Sequence, residues 1–537
     1  MEPSQAPNST KMSGPKKSLE RRRRVPDAAP LLVPLDAASA LPLHRQIYEG
    51  LRAGILAGRF AANMRLPSTR VLASELGVAR NTVVLAFDQL SAEGYLSSRR
   101  GGGTRVRAGI PDSLINVRAD RTGARDAGRR PTRRAAPAMR APLPRSPAHI
   151  PARWTSALAD LATWGAGRDS DAVPFALGMP AVDAFPAALW ARLTARRWRT
   201  GGVFLGHASA AGDRVLRDAI AEYVANARGA RCTPEQVLVV SGAQQALDLV
   251  ARVLVDPGNP VWMEDPGYVG ARAALAAAGA RVVPVPVDDE GMNVAYAERA
   301  APAARLAYVT PSHQFPLGII MSAARRLALL TWAHRVGGWV LEDDYDSEFR
   351  YSGRPIPCLQ GLDAERAAAS RVLYVGTFSK TLSPALRLGY LIVPDELVEV
   401  FRVARAVSGG HSSTVEQSVL ADFIGEGHYG RHVRRVRALC AERQQALLAA
   451  AERELGGVLE LAPDAAGLHM VGWLPPRAND QRAADAAQRE GVDVTPLSRY
   501  SAVRPARGAL LLGYAAFDER AIRGGVRRLA RALGASA

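Results

Sequence analysis

The chain of 537 residues contains little cysteine and no long apolar run. Its three cysteines, Cys232, Cys358 and Cys440, have the spacing of neither a disulfide framework nor a metal site. The first thirty residues include four consecutive arginines but no apolar core of a secretory signal, and no later run is long enough to span a bilayer. We therefore expect no metal and no membrane segment, and we expect a protein of the reducing cytoplasm.

Acidic residues are sparse in the first part of the chain. Residues 1–150 hold 26 of the 69 Lys and Arg but only 11 of the 51 Asp and Glu, so most of the net charge of +18 lies there. This asymmetry favours a polyanionic partner for the first part alone. A solvated basic tail has the same composition, so the motifs have to distinguish the two interpretations.

A small helical domain is predicted after residue 40. Apolar residues at helical spacing predict a helix over 42–56. Ser68 is a candidate N-cap for a second helix that stops at Gly77, and a third helix opens at Ala79. Two short helices joined by a glycine turn form a helix-turn-helix, whose second helix enters the DNA major groove.

Two predicted strands follow the third helix and meet at a tip of arginines and glycines, which makes a basic wing. The segment from Pro42 to Val106 resembles the winged helix-turn-helix of GntR-family bacterial repressors, as the phrases 66–70, 78–82 and 93–96 show most clearly.

This resemblance implies DNA contacts by six residues: Arg70, Arg80, Asn81, Thr82, Arg100 and Gly101. Arg80 and Asn81, at the start of the recognition helix, suit base edges, whereas the others suit phosphates. The alternative is a small helical protein-interaction domain.

Low-complexity segments flank this domain. Residues 1–39 are rich in Pro, Ser, Lys and Arg and predict a disordered basic tail. Residues 108–150 are rich in Arg, Ala and Pro and predict a linker that lets the head, residues 40–107, move relative to the body, residues 151–537.

The body alternates between predicted strands and helices, which implies a mainly parallel α/β sheet. Strands are predicted at 237–240, 261–264, 306–309, 339–341 and 372–375. Because ligands of such sheets gather at the carboxyl ends of the strands, the residues that follow each strand are the candidate site.

The stretch after the strand 372–375 carries the most distinctive chemistry. A semi-enclosed pocket there would lower the pKa of the Lys380 amine and make it nucleophilic toward an aldehyde. Thr377, Ser379 and Arg387 suit a phosphate ester. An amine for an aldehyde beside an anion site is what pyridoxal 5′-phosphate (PLP) requires.

Three other strand ends offer complementary groups. Residues 241–243 open a helix whose N-terminus can hold a phosphate, and Tyr268 can stack on a flat heterocycle. The acidic cluster 342–346 needs a partner such as a protonated pyridine nitrogen. The alternatives are a plain turn, a packing tyrosine and a metal site, although no histidine joins the acids at ligand spacing.

Together these stretches resemble the fold-type I aminotransferase domain over most of residues 175–530. The phrases that carry the match are 241–247, 310–318, 342–351 and 376–389. The whole chain resembles the MocR/GabR-type regulators, in which a GntR winged helix is fused to such a domain. We therefore expect a multi-domain protein, with a small α+β winged helix-turn-helix joined by a linker to a large α/β PLP-dependent aminotransferase fold.

The resemblance also implies roles for single residues. Lys380 would form the Schiff base with PLP, Asp343 would pair with the pyridine nitrogen, and Tyr345 would bind the ring hydroxyl. Asp344 replaces Asp343 if the alignment shifts by one residue. Tyr268 would stack on the ring, and the phosphate would be held by Ser241, Gly242, Ala243, Thr377, Ser379 and Arg387.

Three departures from working aminotransferases concern turnover. Phe315 stands where those enzymes have an asparagine, and the segment at His207 replaces a phosphate-binding tyrosine phrase. The strand 510–515 lacks the arginine that grips a substrate carboxylate, unless Arg504 or Arg507 compensates. Because orientation accounts for much of a catalyst's rate, we expect PLP chemistry to persist while efficient turnover is lost.

The expected function is a homodimeric, PLP-dependent transcriptional regulator that binds double-stranded operator DNA and senses an amino compound or PLP. The alternative is an active PLP-dependent aminotransferase with an accessory DNA-binding head. A body that has lost PLP is a third possibility, against which Lys380, Asp343, Tyr345 and Arg387 together argue.

Overall fold

The computed structural model describes residues 35–36, 39, 41–57, 59–61, 63–99, 103–107, 173–201, 206–353, 355–367 and 369–534. The predicted linker lies outside these ranges, as do nearly all of the predicted tail and both Arg100 and Gly101 of the wing.

The head contains three helices and a two-stranded antiparallel sheet: α1 (Leu43–Leu56), α2 (Thr69–Glu75), α3 (Arg80–Ala92), β1 (Leu96–Arg99) and β2 (Gly103–Val106). Ile47, Leu51 and Ile55 on one face of α1 are fully buried, as their helical spacing predicts. The Ser68 hydroxyl accepts a hydrogen bond from the backbone N–H of Val71 at 3.3 Å and caps α2. The predicted winged helix-turn-helix is confirmed.

The body is built on an eight-stranded sheet: β3 (Val237–Val240), β4 (Pro260–Asp265), β5 (Arg281–Asp288), β6 (Gly291–Met292), β7 (Leu306–Val309), β8 (Trp339–Asp344), β9 (Val372–Thr377) and β10 (Gly389–Ile392). The strand order is β3-β10-β9-β8-β7-β4-β5-β6. Strands β9, β8, β7, β4 and β5 are parallel, whereas β10 is antiparallel to both neighbours. The sheet is therefore mainly parallel, as expected.

Helices cover this sheet and support a second sheet. They are α4 (Ala187–Thr200), α5 (Arg214–Arg228), α6 (Ala243–Leu254), α7 (Val269–Ala277), α8 (Val294–Ala300), α9 (Ala323–Val336), α10 (Leu359–Ala364), α11 (Val398–Val407), α12 (Thr414–Gly425), α13 (His428–Glu454), α14 (Asp480–Arg489) and α15 (Glu519–Leu533). The second, antiparallel sheet has the order β11-β12-β14-β13, with β11 (Glu460–Leu461), β12 (His469–Trp473), β13 (Thr495–Pro496) and β14 (Ala509–Gly513).

Burial explains why the central strands are apolar along their whole length. Every residue of β3, β7, β8 and β9 is buried, because helices cover both faces of the sheet. The polar exceptions lie at the carboxyl ends of β8 and β9, where Asp343 and Thr377 reach the same edge. No helix in the described part of the chain is long and apolar enough to cross a membrane.

The head packs directly on the body. Its apolar core is continuous with the body cluster around α9. The backbone N–H of Ala323 donates to the carbonyl of Glu93 at 3.1 Å, and Arg52 pairs with Glu365 at 2.7 Å. The linker that was predicted to let the head move relative to the body lies outside the described residues, and in this structure the head contacts the body directly.

Candidate cofactor site and DNA interface

A cavity of about 600 Å³ lies at the carboxyl ends of the parallel strands. Its lining combines residues of both sheets with the N-terminus of α6: Leu177, Gly178, Gly242, Ala243, Gln244, Tyr268, Tyr308, Phe315, Asp343, Tyr345, Thr377, Ser379, Lys380, Pro384, Arg387, Leu468, His469 and Tyr500. Among the ten residues predicted to bind a cofactor, nine line this cavity, and the exception is Ser241.

Lys380 directs its amine into the cavity. Its Nζ donates a hydrogen bond to the carbonyl oxygen of Gly178 at 2.7 Å. Gly178 has a φ of +84°, and a Cβ there would lie 3.4 Å from Nζ, so a larger residue would be strained and would crowd the amine. Burial lowers the pKa of Lys380 below its ordinary value, although Asp346 and Asp343 oppose this effect. A larger fraction of the amine is therefore neutral and nucleophilic.

The structure distinguishes between the two candidate aspartates. Asp343 faces the cavity, where its Oδ2 accepts a hydrogen bond from Tyr308 at 2.8 Å and its buried Oδ1 has no protein partner. Asp344 lies away from the cavity and accepts hydrogen bonds from Arg228 (2.7 Å) and Tyr374 (2.6 Å). Burial raises the pKa of Asp343 to about 7. Only Asp343 offers a free acceptor to a ligand.

The other acids of the cluster have protein partners of their own. The Glu342 carboxylate accepts the backbone N–H groups of Leu359 (2.9 Å) and Gln360 (3.0 Å). Asp346 pairs with His313 at 2.9 Å. These partners explain the acidic run without the metal that was its alternative interpretation.

One end of the cavity is suited to an anion. Gly242 caps the N-terminus of α6 with a φ of +93°, and a Cβ there would lie 3.6 Å from the Arg387 guanidinium. Thr377 and Ser379 lie beside them, with the Thr377 hydroxyl accepting the backbone N–H of Ser379 at 3.1 Å. Backbone N–H groups, a helix dipole and an arginine together favour a phosphate.

Ser241 does not join this anion site. Its hydroxyl is 3.1 Å from the Ser412 hydroxyl, and its backbone N–H donates to the Gln245 side chain at 2.8 Å. The position of Ser241 in the turn after β3 suggested that it binds phosphate. Its short side chain instead points toward the loop after α11.

Aromatic rings form the cavity wall around Phe315. Its ring centroid is 5.8 Å from that of Tyr268, 5.7 Å from Tyr345 and 5.0 Å from Tyr500, all with edge-to-face geometry. The Tyr345 hydroxyl lies 3.0 Å from Nδ1 of His313. The phenylalanine that replaces the aminotransferase asparagine therefore packs the tyrosines that border the cavity.

His313 is a buried cation behind Tyr345. Its Nδ1 lies 2.9 Å from Asp346 and its Nε2 lies 3.3 Å from Asp464, which is on the loop before β12. Burial alone lowers the His313 pKa, but the two carboxylates raise it to about 10. The imidazolium therefore connects Tyr345 to the part of the body that carries the second sheet.

These features fit PLP. The unpartnered buried oxygen of Asp343 suits the pyridine nitrogen, the α6 N-terminus with Arg387 suits the phosphate, and Lys380 lines the same cavity. Tyr268 is at the wall, in a position to contact a flat ring.

The head presents its predicted DNA-binding side chains to solvent. Arg80 and Asn81 are exposed in the first turn of α3, Arg70 is exposed on α2, and Thr82 is half-buried. A groove of about 1030 Å³ runs between α2, α3 and β2, and Arg65 and Arg105 line it with Arg80. Arg65 and Arg105 were not among the predicted DNA contacts, although both lie in the basic first part of the chain.

Comparisons with known proteins agree with both halves of this description. Residues 43–106 match the family "Bacterial regulatory proteins, gntR family", and residues 182–529 match "Aminotransferase class I and II". The probable rhizopine catabolism regulatory protein MocR of Rhizobium meliloti is 42% identical over 93% of this chain and 95% of its own length. The chain belongs to the MocR-type regulators.

Other relatives and solved structures extend this assignment. The transcriptional regulator TauR of Rhodobacter capsulatus is 34% identical over 91% of this chain and 96% of its own length. The crystal structure of LysN, an α-aminoadipate aminotransferase of Thermus thermophilus complexed with N-(5′-phosphopyridoxyl)-L-leucine, is 32% identical, with a TM-score of 0.62 over 67% of this chain and 91% of that one. The fold-type I aminotransferase prediction is confirmed, and the protein is an HTH-type transcriptional regulator with an aminotransferase-like domain.

Sequence reasoning missed several residues of this MocR-type cavity. Tyr308, within β7, was treated as an ordinary strand residue, yet its hydroxyl binds Asp343. Its position one strand away from Asp343 in a parallel sheet was the available signal. Gly178, Gln244 and Tyr500 come from loops and helix starts, and their approach to the cavity depends on tertiary packing.

Neither arginine suggested as a substitute carboxylate ligand lines the cavity of this MocR-type regulator. Arg507 donates to the carbonyl of Leu474 at 2.6 Å and pairs with Glu460 at 2.8 Å, and its guanidinium lies over Trp473. Arg504 is exposed to solvent. This arrangement gives no support to the possibility that one of them compensates for the missing arginine.

Proposed function

We propose that this MocR-type regulator binds PLP at Lys380 and that an amino compound, or PLP itself, acts there to change how the head binds operator DNA. The observation that carries the proposal is the single cavity shared by a half-buried amine, an unpartnered buried carboxylate oxygen and an arginine at a helix N-terminus. When bound, PLP supplies an aldehyde carbon that forms a reversible C=N bond with a primary amine.

Each residue around the cavity would have a distinct role in binding PLP. Lys380 offers a nucleophilic amine because burial lowers its pKa. Asp343 would hold a proton on the pyridine nitrogen with its free Oδ1, while Tyr308 fixes the other oxygen. Arg387, Gly242, Ala243, Thr377 and Ser379 would bind the phosphate.

A continuous set of buried contacts supports communication between this cavity and the head. Arg326 on α9 donates to the carbonyls of Pro311 (2.8 Å) and Met321 (3.0 Å), which border the loop carrying His313. The first residue of the same helix, Ala323, bonds to Glu93 of the head. A movement of this loop would therefore displace α9, the helix against which the head packs. A ligand that binds one position of the loop more tightly would in this way favour one position of the head.

We further propose a cytoplasmic homodimer whose two heads contact two DNA half-sites through Arg70, Arg80, Asn81 and Thr82. The exposure of these side chains on the α2–α3 face supports the contact, and the free Cys232, Cys358 and Cys440 suit a reducing compartment. One relative, a pyridoxine biosynthesis transcriptional regulator of Corynebacterium glutamicum that is 31% identical, also supports a vitamin B6 ligand.

A second candidate function is slow aminotransferase turnover. The lowered pKa of Lys380 favours it, because a neutral amine can move protons. The missing carboxylate arginine opposes it. Keto-acid production over many turnovers, abolished in Lys380→Ala, would support this function, and none across a broad panel of amines would exclude it.

The proposal is tested by the visible absorption spectrum of purified protein mixed with PLP. We expect a band of lysine-bound PLP in wild type that Lys380→Ala removes while the protein still melts cooperatively. A DNA fragment from the promoter region of its own gene should also shift in electrophoresis at low salt. Absence of the band, or its persistence in Lys380→Ala, would refute the cofactor assignment.

A further inference from the structure

The end of the cavity beyond Lys380 has an apolar and aromatic wall. It is formed by Leu177, Phe315, Leu468, His469 and Tyr500. The Phe315 ring centroid lies 5.0 Å from that of Tyr500 and 5.6 Å from that of His469. The anion-binding group, Arg387, lies beside Gly242 at the N-terminus of α6.

An apolar cluster stands directly behind this wall. Fully buried Leu511 of β14 packs in it with Val269, Leu497 and Ala509, and it shares the cluster with Tyr500. Leu177 and Phe315 of the cavity wall pack on the same cluster. The neighbouring Leu510 and Leu512 belong to a different core on the other face of the strand. Leu511 and Ala509 are therefore the residues of β14 on the face toward the ligand end, and Leu511 has the larger side chain.

The charges of the lining do not supply a counter-ion at this end. Among the described lining residues, the basic ones are Lys380, Arg387 and His469. His469 lies with its Nε2 2.9 Å from the carbonyl of Pro316, and burial, reinforced by the nearby His313 cation, lowers its pKa. It is therefore neutral at pH 7. A ligand carboxylate at this wall would lose water without gaining a cation, which is unfavourable.

We infer that the effector of this regulator is a primary amine that carries no carboxylate, such as an arylalkylamine or an amino alcohol. The inference rests on the proposed function, since it assumes that the amine reaches PLP held at Lys380. An aromatic or methylene body gains burial against Phe315, Leu468 and Tyr500. A hydroxyl can donate to the free ring nitrogen of neutral His469.

The test compares matched ligands that differ in the carboxylate alone. Phenethylamine is paired with phenylalanine, and alaninol with alanine, and each is titrated into the PLP-loaded full-length protein. The readout is the absorption band of lysine-bound PLP, which reports binding and not turnover. We expect each carboxylate-free amine to change the band at a concentration at least about tenfold lower than its amino acid does. The reason is that leaving a buried carboxylate unpaired costs enough free energy to weaken binding by about that factor.

A variant tests the same point from the protein side. Leu511→Arg introduces a cation behind the wall and should reverse the preference within each pair, whereas the size-matched Leu511→Met should keep it. If Leu511→Arg does not fold, the wild-type titrations decide the question alone. Tighter or equal binding of the amino acids, or no response to any of the amines, overturns the inference. Failure of PLP to form the band at all refutes the proposed function instead.

Discussion

Replacing Asp343 with asparagine separates the carboxylate's effect on stability from its effect on cofactor binding. The buried Oδ1 of Asp343 has no protein partner, and the other oxygen accepts the Tyr308 hydroxyl, which an amide oxygen can also do. Asp343→Asn therefore removes a charge without removing the hydrogen bond. We expect the PLP-free variant to be more stable than PLP-free wild type, and to bind PLP about 10- to 100-fold more weakly, the range expected when a hydrogen bond to a charged group is lost.

The magnitude follows from the pKa of Asp343. Burial raises it from 3.8 to about 7, so the folded protein holds a proton that the unfolded chain releases between those values. Stability of PLP-free wild type therefore falls as pH rises from 3.8 to 7, and the full penalty remains above pH 7. At 1.36 kcal/mol per pKa unit, the penalty is about 2 kcal/mol at pH 5 and about 4 kcal/mol at pH 8. Asparagine carries no such penalty.

The assay is thermal melting of the PLP-free proteins at pH 5 and pH 8. The advantage of Asp343→Asn should grow between the two pH values by about 2–3 kcal/mol, or about 3 °C in Tm for a domain of about 350 residues. Asp344→Asn is the matched control, because it leaves buried Arg228 without its carboxylate and should lower stability by about 3–5 kcal/mol. A stability difference between Asp343→Asn and wild type that did not change with pH would refute the reasoning. It would also be refuted if Asp344→Asn changed stability in the same way as Asp343→Asn.

Three further predictions concern other parts of the molecule. Arg80→Ala should weaken binding to a promoter fragment by about 10-fold or more in fluorescence anisotropy, because it would remove the proposed contact to a base edge. Arg45→Ala on α1 should leave binding unchanged, and equal losses would contradict the proposed DNA-binding face. Wild type should lose stability relative to His313→Asn as pH rises from 6.5 through 10, because the raised His313 pKa gives stability that is complete below 6.5 and gone above 10; parallel melting curves would contradict the buried cation. Arg387→Gln should raise the PLP concentration needed for half-saturation about 10-fold or more in absorbance titrations, and unchanged affinity would place the phosphate elsewhere.

Local patterns were sufficient to predict the head and the alternation of the body. The spacing of Ile47, Leu51 and Ile55 defined α1, and Ser68 capped α2 as its position indicated. The lysine stretch and the acidic cluster were found because charged groups at the ends of buried strands need a partner.

Contacts between distant segments were not predictable in the same way. Gly178 meets Lys380 across about 200 residues of chain, and Tyr308 reaches Asp343 only because β7 and β8 are neighbours in the sheet. The contact of the Ser241 hydroxyl with Ser412, which turns it away from the cavity, was equally unpredictable from local sequence. The docking of the head on α9 likewise depends on surfaces that no local pattern identifies.

In the proposed function, ligand chemistry at Lys380 controls DNA binding. The direct measurement follows the affinity of PLP-loaded protein for its promoter fragment by anisotropy while a carboxylate-free amine is added, with the absorption band recorded in the same samples. We predict that affinity and band change over the same concentration range in wild type, and that neither changes in Lys380→Ala. A DNA affinity that stays constant while the band changes, or one that responds equally in Lys380→Ala, would show that Lys380 does not control DNA binding.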